Sequence, residues 1–158
     1  MISPNQEKGR RGEKIQGFVI HITDGSYESA ISWIMDPKSQ VSYHFVISKT
    51  GSMTCLVLPD NTAWHAGLIK NPTAEIIKPG SNPNLYTIGI ALAGLSTEKP
   101  SIEQITSVSK IIKMLATYYN IPLDKKTIIT HNSIRSDKFC PGQFVSIEAI
   151  LYLSNLTN

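Results

Sequence analysis

The chain has 158 residues, of which 41% are hydrophobic and 17% charged, and its formal net charge is +3. A chain of this length can bury roughly 70% of the surface that its unfolded form would expose, so it can fold without disulfides. The hydrophobic content is too high for a disordered protein, and no run of about five like charges marks a nucleic-acid-binding arm. No apolar run approaches the roughly 18 residues of a membrane span. We therefore expect one soluble globular domain, residues 1–158, made in the cytoplasm without a signal peptide.

The first strong element is the β-branched apolar run GFVIHIT, residues Gly17–Thr23, which predicts a strand buried on both faces. It follows an N-terminal extended segment, residues 1–15, whose basic stretch KGRRGEK we expect to be solvated. After the strand, Ser26 is suited to cap a helix that Pro37 would end. The next segment, Val41–Leu58, contains two β-rich runs around a tight turn, which predicts a hairpin.

Residues Pro59–Leu85 are rich in Pro, Asn, Gly and Ser and contain the aromatic segment TAWHAG. Such long irregular stretches inside compact domains are usually functional, so we expect a functional loop. A second buried strand is predicted at Tyr86–Gly94, and Ser101 with Gln104 predicts a capping box for a helix that ends near Asn120. The apolar residues expected on one face of this helix are Ile102, Ile105, Val108, Ile112 and Leu115.

The C-terminal part of the chain contains a short predicted strand, Thr127–Thr130, then the motif ITHNSIRSDKFCPG and a predicted closing helix, Ser146–Leu153. Strands and helices therefore alternate along the chain. This alternation predicts an α/β fold, a mixed central β-sheet flanked by helices.

Three side chains of this sequence match the chemistry of a metal site. His21 and His131 each lie at the C-terminal end of a predicted buried strand, where α/β sheets tend to place their sites. Cys140 lies in a basic segment that favours its thiolate. Two imidazoles and one thiolate form a typical catalytic zinc set, with a fourth position left for water.

The residues alone leave other interpretations open. A single histidine in a strand is more often a hydrogen-bonded core residue, and a single cysteine is more often a small buried hydrophobe. Cys140 and His131 also have the character of a nucleophile and its base in a metal-free hydrolase. A disulfide between Cys55 and Cys140 is the least favoured alternative, because a chain of this size does not need one.

Five segments together resemble a known family. FVIHITDGSYESAISWI, VSYHFVI, TAWHAG, LYTIGIALAG and ITHNSIRSDKFCPG occur in the order found in the zinc-dependent N-acetylmuramoyl-L-alanine amidases of the type 2 amidase family. That group includes lysozymes like that of phage T7 and is related to the peptidoglycan recognition proteins. The resemblance covers roughly Gly17 to Gly142. It implies the same fold, with zinc in a groove at the C-terminal ends of the strands.

The resemblance also implies residue roles. His21, His131 and Cys140 fall on the family's three zinc-ligand positions. Tyr43 falls on the tyrosine that faces the water bound there, and Lys138 on the lysine that stabilises the transition state. The further members of the predicted site are the WHAG residues expected to contact the muropeptide, Trp64 and His65.

Two positions near these motifs need separate comment. His44 follows Tyr43 directly, so in a strand it points to the opposite face and is expected to be structural. Ala91 stands where some family members have a glutamate that acts as general base. The version of the mechanism that uses a tyrosine and a lysine is therefore the one that this sequence supports, with Glu28 or Asp24 a weaker candidate for the base.

The activity implied by the resemblance is hydrolysis of the amide bond between N-acetylmuramic acid and L-alanine by zinc-activated water. Its partner would be bacterial peptidoglycan, with no nucleic-acid or membrane partner, and the protein would be a monomer. The resemblance suggests the catalytic domain of a phage or prophage endolysin, made in the bacterial cytoplasm and acting at the wall after release or export. A wall-binding domain of a longer protein would lie outside this chain. The alternative is a recognition domain that binds muropeptides without cutting them.

Overall fold

The computed structural model of the chain describes residues 1–156, and in that range no helix is both long and apolar enough to cross a membrane. A five-stranded sheet forms the centre, and a two-stranded ribbon lies beside it. The strands are β1 (Gln6–Glu7), β2 (Gly17–Ile22), β3 (Phe45–Ile47), β4 (Met53–Cys55), β5 (Thr62–Ala63), β6 (Thr87–Leu92) and β7 (Ile128–Thr130), and the helices are α1 (Tyr27–Met35), α2 (Ile102–Tyr119) and α3 (Ile147–Leu156).

The central sheet is mixed, as predicted. Its strand order is β4-β3-β6-β2-β7, with β4 antiparallel to β3 and the other neighbours parallel. Because the carboxyl ends of parallel strands meet at one edge, the residues that end β2 and follow β7 lie near each other. His21 is the penultimate residue of β2, and His131 directly follows β7. The sheet topology therefore brings two histidines to one edge although 110 positions separate them in the chain.

The two faces of the sheet pack against different elements. Phe18 and Ile20 of β2 belong to the large apolar core that includes α2 and α3. Val19 lies in a second cluster formed with the long loop, on the opposite face. Side chains alternate along a strand, so His21 shares the face of Val19, away from α2 and α3. This face is where the irregular loop predicted from the sequence lies.

The helix ends follow the capping signals of the sequence. Ser26 accepts from the backbone N–H of Ser29 at the start of α1. Ser101 and Gln104 form the predicted capping box of α2. The prediction that Ile102 packs inward is wrong, because its side chain is 66% exposed. Gln104 is buried at this end of the helix instead, and its amide donates to the carbonyl oxygens that end β3 and follow β6, those of Ile47 and Ala93.

The N-terminal segment differs from its prediction. Arg10, in the stretch expected to be solvated, is only 7% exposed. Its guanidinium donates to four backbone carbonyls, those of Pro59, Asn84, Leu85 and Thr87. Pro59, Asn84 and Leu85 lie in the irregular loop, outside the β-ladders, and Thr87 begins β6. A guanidinium with five donors can satisfy several such carbonyls at once. Arg10 therefore ties the N-terminal segment to the loop that lies behind the site.

Candidate metal centre

Three predicted side chains meet at the carboxyl edge of the sheet. The potential ligand atoms of His21, His131 and Cys140 all lie within 4.8 Å of one another. The Sγ atom of Cys140 lies 3.8 Å from Nδ1 of His21, and the rings of the two histidines have their centroids 4.6 Å apart. A tetrahedral zinc with bonds of about 2.1 Å to nitrogen and 2.3 Å to sulfur would hold these atoms about 3.6 Å apart. The 3.8 Å between the His21 nitrogen and the Cys140 sulfur is close to this value, so this pair fits zinc.

The thiol of Cys140 is held by the backbone of β2. The N–H of Ile22 donates to Sγ at 3.3 Å. Burial raises the pKa of the Cys140 thiol to about 11, and this rise is only partly offset by the Ile22 N–H. Without a metal the thiol therefore stays protonated at neutral pH, which makes it a poor nucleophile. A bound cation would deprotonate it, so this environment favours a ligand over an attacking group.

The histidines of the cluster are neutral at pH 7. Burial lowers the pKa of His21 well below its usual value, and the neighbouring imidazoles lower it further. Burial also lowers the pKa of His131 to about 4. A hydrogen bond to the carbonyl of Ala66 acts in the opposite direction but is outweighed. A neutral imidazole keeps one nitrogen lone pair free for a metal. Two neutral imidazoles and one thiolate, which Cys140 becomes when a cation binds, are donors that zinc prefers.

The WHAG segment lies directly behind these ligands. His65 is only 5% exposed, and its Nδ1 lies 3.1 Å from Nε2 of His21. The Nε2 atom of His131 lies 3.2 Å from the carbonyl oxygen of the next residue, Ala66. Trp64 is half-buried, and its backbone N–H donates to Ser42. Muropeptide contact by Trp64 and His65 stays a prediction.

Tyr43 and Lys138 lie close to the cluster. The ring of Tyr43 is tilted by 52° against that of His21, with the centroids 4.9 Å apart. Burial raises the pKa of Tyr43, and interactions with Cys140 and Asp24 raise it further, so its phenol keeps its proton at neutral pH. Lys138 is exposed, and its charge acts to lower the pKa of both Cys140 and His131. A cavity of about 490 Å³ opens beside Tyr43, between α1 and the end of β2.

His44 is structural, as expected. It is fully buried, its Nδ1 accepts from the backbone N–H of Gly89, and its Nε2 lies 3.1 Å from the carbonyl oxygen of Asn61. Its ring lies edge-on to that of His65, with the centroids of His44 and His65 5.7 Å apart. Burial, with the nearby charge of Arg10, lowers the pKa of His44 to about 3.

Ala91 pairs with His21 in the register of β6 and β2 and is fully buried against apolar neighbours. No carboxylate stands at this position. Asp24, at the end of β2, is the acid whose charge acts on both Tyr43 and Cys140. Its Oδ1 accepts from the backbone N–H of Ser96, which ties this carboxylate to the loop after β6.

Sequence reasoning missed three residues that support the cluster. Asn84 is buried, and its side-chain oxygen accepts from the backbone N–H groups of His65 and Ala66. Gly89 leaves the space for the His65 ring, because a Cβ at this position would lie 2.4 Å from its Cγ. A glycine inside a strand signals close approach of another group, so Gly89 alone had a readable signal. Nothing local in the sequence marks Asn84 or the carbonyl of Ala66.

The chain is similar in sequence to known amidases. The family described as N-acetylmuramoyl-L-alanine amidase matches residues 11–143. Over 81 residues, 51% of this chain, the sequence is 36% identical to N-acetylmuramoyl-L-alanine amidase A of Achromobacter lyticus. This chain spans only 38% of the length of that relative.

Solved structures show the same fold. A selenomethionine derivative of AmpD superposes with a TM-score of 0.77 at 23% identity, over 97% of this chain and 92% of AmpD. AmiD from E. coli, solved in complex with the substrate anhydro-N-acetylmuramic acid-L-Ala-D-γ-Glu-L-Lys, superposes with a TM-score of 0.75 at 22% identity, over 88% of this chain and 57% of AmiD.

Proposed function

The chain belongs to the N-acetylmuramoyl-L-alanine amidase family, and we propose that it hydrolyses the amide bond between N-acetylmuramic acid and L-alanine in bacterial peptidoglycan. The observation that carries this proposal is the cluster of His21, His131 and Cys140, whose ligand atoms lie within 4.8 Å of one another beside Tyr43. The substrate in the AmiD complex contains L-alanine next to anhydro-N-acetylmuramic acid, a related sugar.

We assign zinc to this cluster, with His21, His131 and Cys140 as its ligands. When bound, the ion would lower the pKa of a water molecule to about 7 and polarise the carbonyl that the water attacks. The protein's own contribution is to hold two neutral imidazoles and a part-buried sulfur at zinc-binding separation. Three protein ligands leave a fourth position open, which is the arrangement of a catalytic site.

Hydrolysis forms one C–O and one N–H bond and breaks the amide C–N bond and one O–H bond of water, so the proton that the water loses ends on the leaving nitrogen. The oxygen of water adds to the lactyl carbonyl carbon, the C–N bond to alanine breaks, and the amino group leaves after it gains a proton. Tyr43 keeps its phenolic proton at neutral pH, so it can donate a hydrogen bond to the water or to the leaving nitrogen. The cation of Lys138, at the exposed side, would face the developing oxyanion.

One assay tests this function against its alternatives. Purified cell wall is digested by the protein in zinc, in a chelator, and in a chelator followed by zinc, and new amino-terminal L-alanine is measured. We expect alanine termini to appear only when zinc is present. Activity that survives the chelator would favour a cysteine hydrolase, and wall binding without new termini would favour a recognition domain.

A further inference from the structure

We propose that His65 and Ala66 form a support behind the metal centre that fixes which nitrogen each ligand histidine offers. The inference rests on the proposed function, because it assumes that His21 and His131 bind zinc. It differs from the role that the sequence suggested for His65, contact with the muropeptide. His65 is a positioning residue in this view, because it acts through His21.

The hydrogen bonds behind His21 can be followed from an atom whose role is fixed. The carbonyl oxygen of Pro83 can only accept, so the hydroxyl of Thr87, 2.7 Å away, must donate to it. Because the hydroxyl has used its only hydrogen there, it can only accept a hydrogen bond from Nε2 of His65, which lies 3.5 Å away. The His65 ring also hydrogen-bonds to the backbone of Thr87, a contact that raises the pKa of His65 against the larger effect of burial. Nε2 is therefore the protonated nitrogen of His65, and its Nδ1 carries a lone pair.

The same reasoning reaches the metal ligand. Because Nδ1 of His65 accepts, Nε2 of His21 must carry the hydrogen of their 3.1 Å contact. A neutral His21 then has its free lone pair on Nδ1, the atom that lies 3.8 Å from the Cys140 sulfur. The chain of donors that starts at His21 and ends at a backbone carbonyl thus selects the tautomer that can bind metal.

His131 is held in the same way by the next residue. Its Nε2 lies 3.2 Å from the carbonyl oxygen of Ala66, which can only accept, so the free lone pair of His131 is on Nδ1. The two acceptors are adjacent in the chain, and Asn84 holds both residues by accepting from their backbone N–H groups at 3.0 and 2.8 Å. One short segment therefore orients both imidazoles.

Packing restricts this segment to its position. His65 is 5% exposed and Ala66 is fully buried, so the surrounding protein encloses both side chains. Gly89 of β6 leaves room for the His65 ring, since any Cβ there would lie 2.4 Å from Cγ. Hydrogen bonds to ligand histidines from such partners affect metal affinity by about 10- to 100-fold in other metalloproteins.

The test compares two variants of nearly equal size. Asparagine places a side-chain oxygen close to the position of Nδ1 and can accept from His21, whereas leucine cannot. We expect His65→Leu to weaken zinc affinity by about 10- to 100-fold, and His65→Asn to recover most of this loss. Affinity is measured by competition with a chromogenic chelator, and circular dichroism of the metal-free proteins checks their folding.

A second measurement needs no variant. Long-range proton–nitrogen NMR spectra of the metal-free wild-type protein report which ring nitrogen carries the hydrogen. We expect protonated Nε2 and unprotonated Nδ1 in His21, His65 and His131. A His21 ring protonated at Nδ1, or equal zinc affinity of wild-type protein and a folded His65→Leu variant, would overturn the inference, as would equal losses in the Asn and Leu variants. Wild-type protein that binds no zinc would instead refute the proposed function.

Discussion

The Sγ atom of Cys140 lies 3.8 Å from Nδ1 of His21, although 119 positions separate the two residues in the chain. The contact exists because Ile22, the last residue of β2, donates its backbone N–H to the same sulfur. The strand thus positions both a nitrogen and a sulfur ligand. The first prediction tests this pair.

Substitution of Cys140 by serine should remove the metal. A serine hydroxyl is a much weaker zinc ligand than a thiolate, so Cys140→Ser is expected to lose bound zinc on dialysis and, with it, amidase activity. Cys55→Ser is the matched control, because Cys55 lies in β4 and its thiol donates to the carbonyl of Val57. Zinc content is measured by elemental analysis. If Cys140→Ser kept both zinc and full activity, the ligand assignment would be wrong.

Tyr43→Phe and Lys138→Ala should lower turnover while zinc stays bound. Neither side chain belongs to the three-ligand cluster, but the ring of Tyr43 lies against that of His21 and the charge of Lys138 acts on Cys140. Loss of one donor to a developing oxyanion costs about 10²- to 10³-fold in turnover in other hydrolases. Lys110→Ala, an exposed change on α2, serves as the control for charge. The kcat of each variant is measured on purified muropeptide together with its zinc content, and loss of zinc in Tyr43→Phe would contradict the assigned role.

Arg10→Met should destabilise the fold much more than a change at the neighbouring arginine. Arg10 satisfies four buried or part-buried carbonyls, and methionine would leave them unpaired, at a cost of about 3 kcal/mol in free energy of unfolding. Arg11→Ala removes an exposed ion pair with Glu7, and such pairs contribute little to stability because water screens them. Urea denaturation measures both. Equal effects of the two substitutions would show that the buried contacts of Arg10 do not matter.

Acid should destabilise the metal-free protein through its buried imidazoles. The pKa of His44 is lowered to about 3 by burial and then by Arg10, from the ordinary value of 6.5. Between these values the unfolded chain binds a proton that the folded protein excludes. The free energy of unfolding therefore rises with pH in this window, and the stabilisation is lost as the pH falls towards 3.

A variant without the His44 imidazole tests its share of this pH dependence. One such histidine contributes a slope of about 1.4 kcal/mol per pH unit. His44→Asn can still accept from the Gly89 N–H but cannot titrate, so we expect it to reduce the measured slope by about that amount. Urea denaturation of the metal-free proteins at a series of pH values measures it. An unchanged slope would mean that His44 is not held neutral.

Much of the fold was determined by local sequence. The apolar run of β2, the N-cap at Ser26 and the capping box at Ser101 each depend on residues close in the chain, and the structure confirms all three. The types of the candidate ligands were likewise visible, because His21 and His131 follow the pattern of residues at strand ends. Their assignment as ligands came from motifs that the family shares over nearly the whole chain.

Tertiary structure alone decided how these residues work together. The burial of Arg10, the position of Gln104 in place of Ile102, and the place of His65 behind His21 all depend on partners that lie 11 to 77 positions away. A carbonyl or a buried amide has no sequence signal of its own, because its partner is set by packing. The sequence by itself determined which metal-ligand side chains the site contains. Only the folded chain decided which atom of each side chain keeps a lone pair for the metal, because the other polar atoms must find hydrogen-bond partners in the interior.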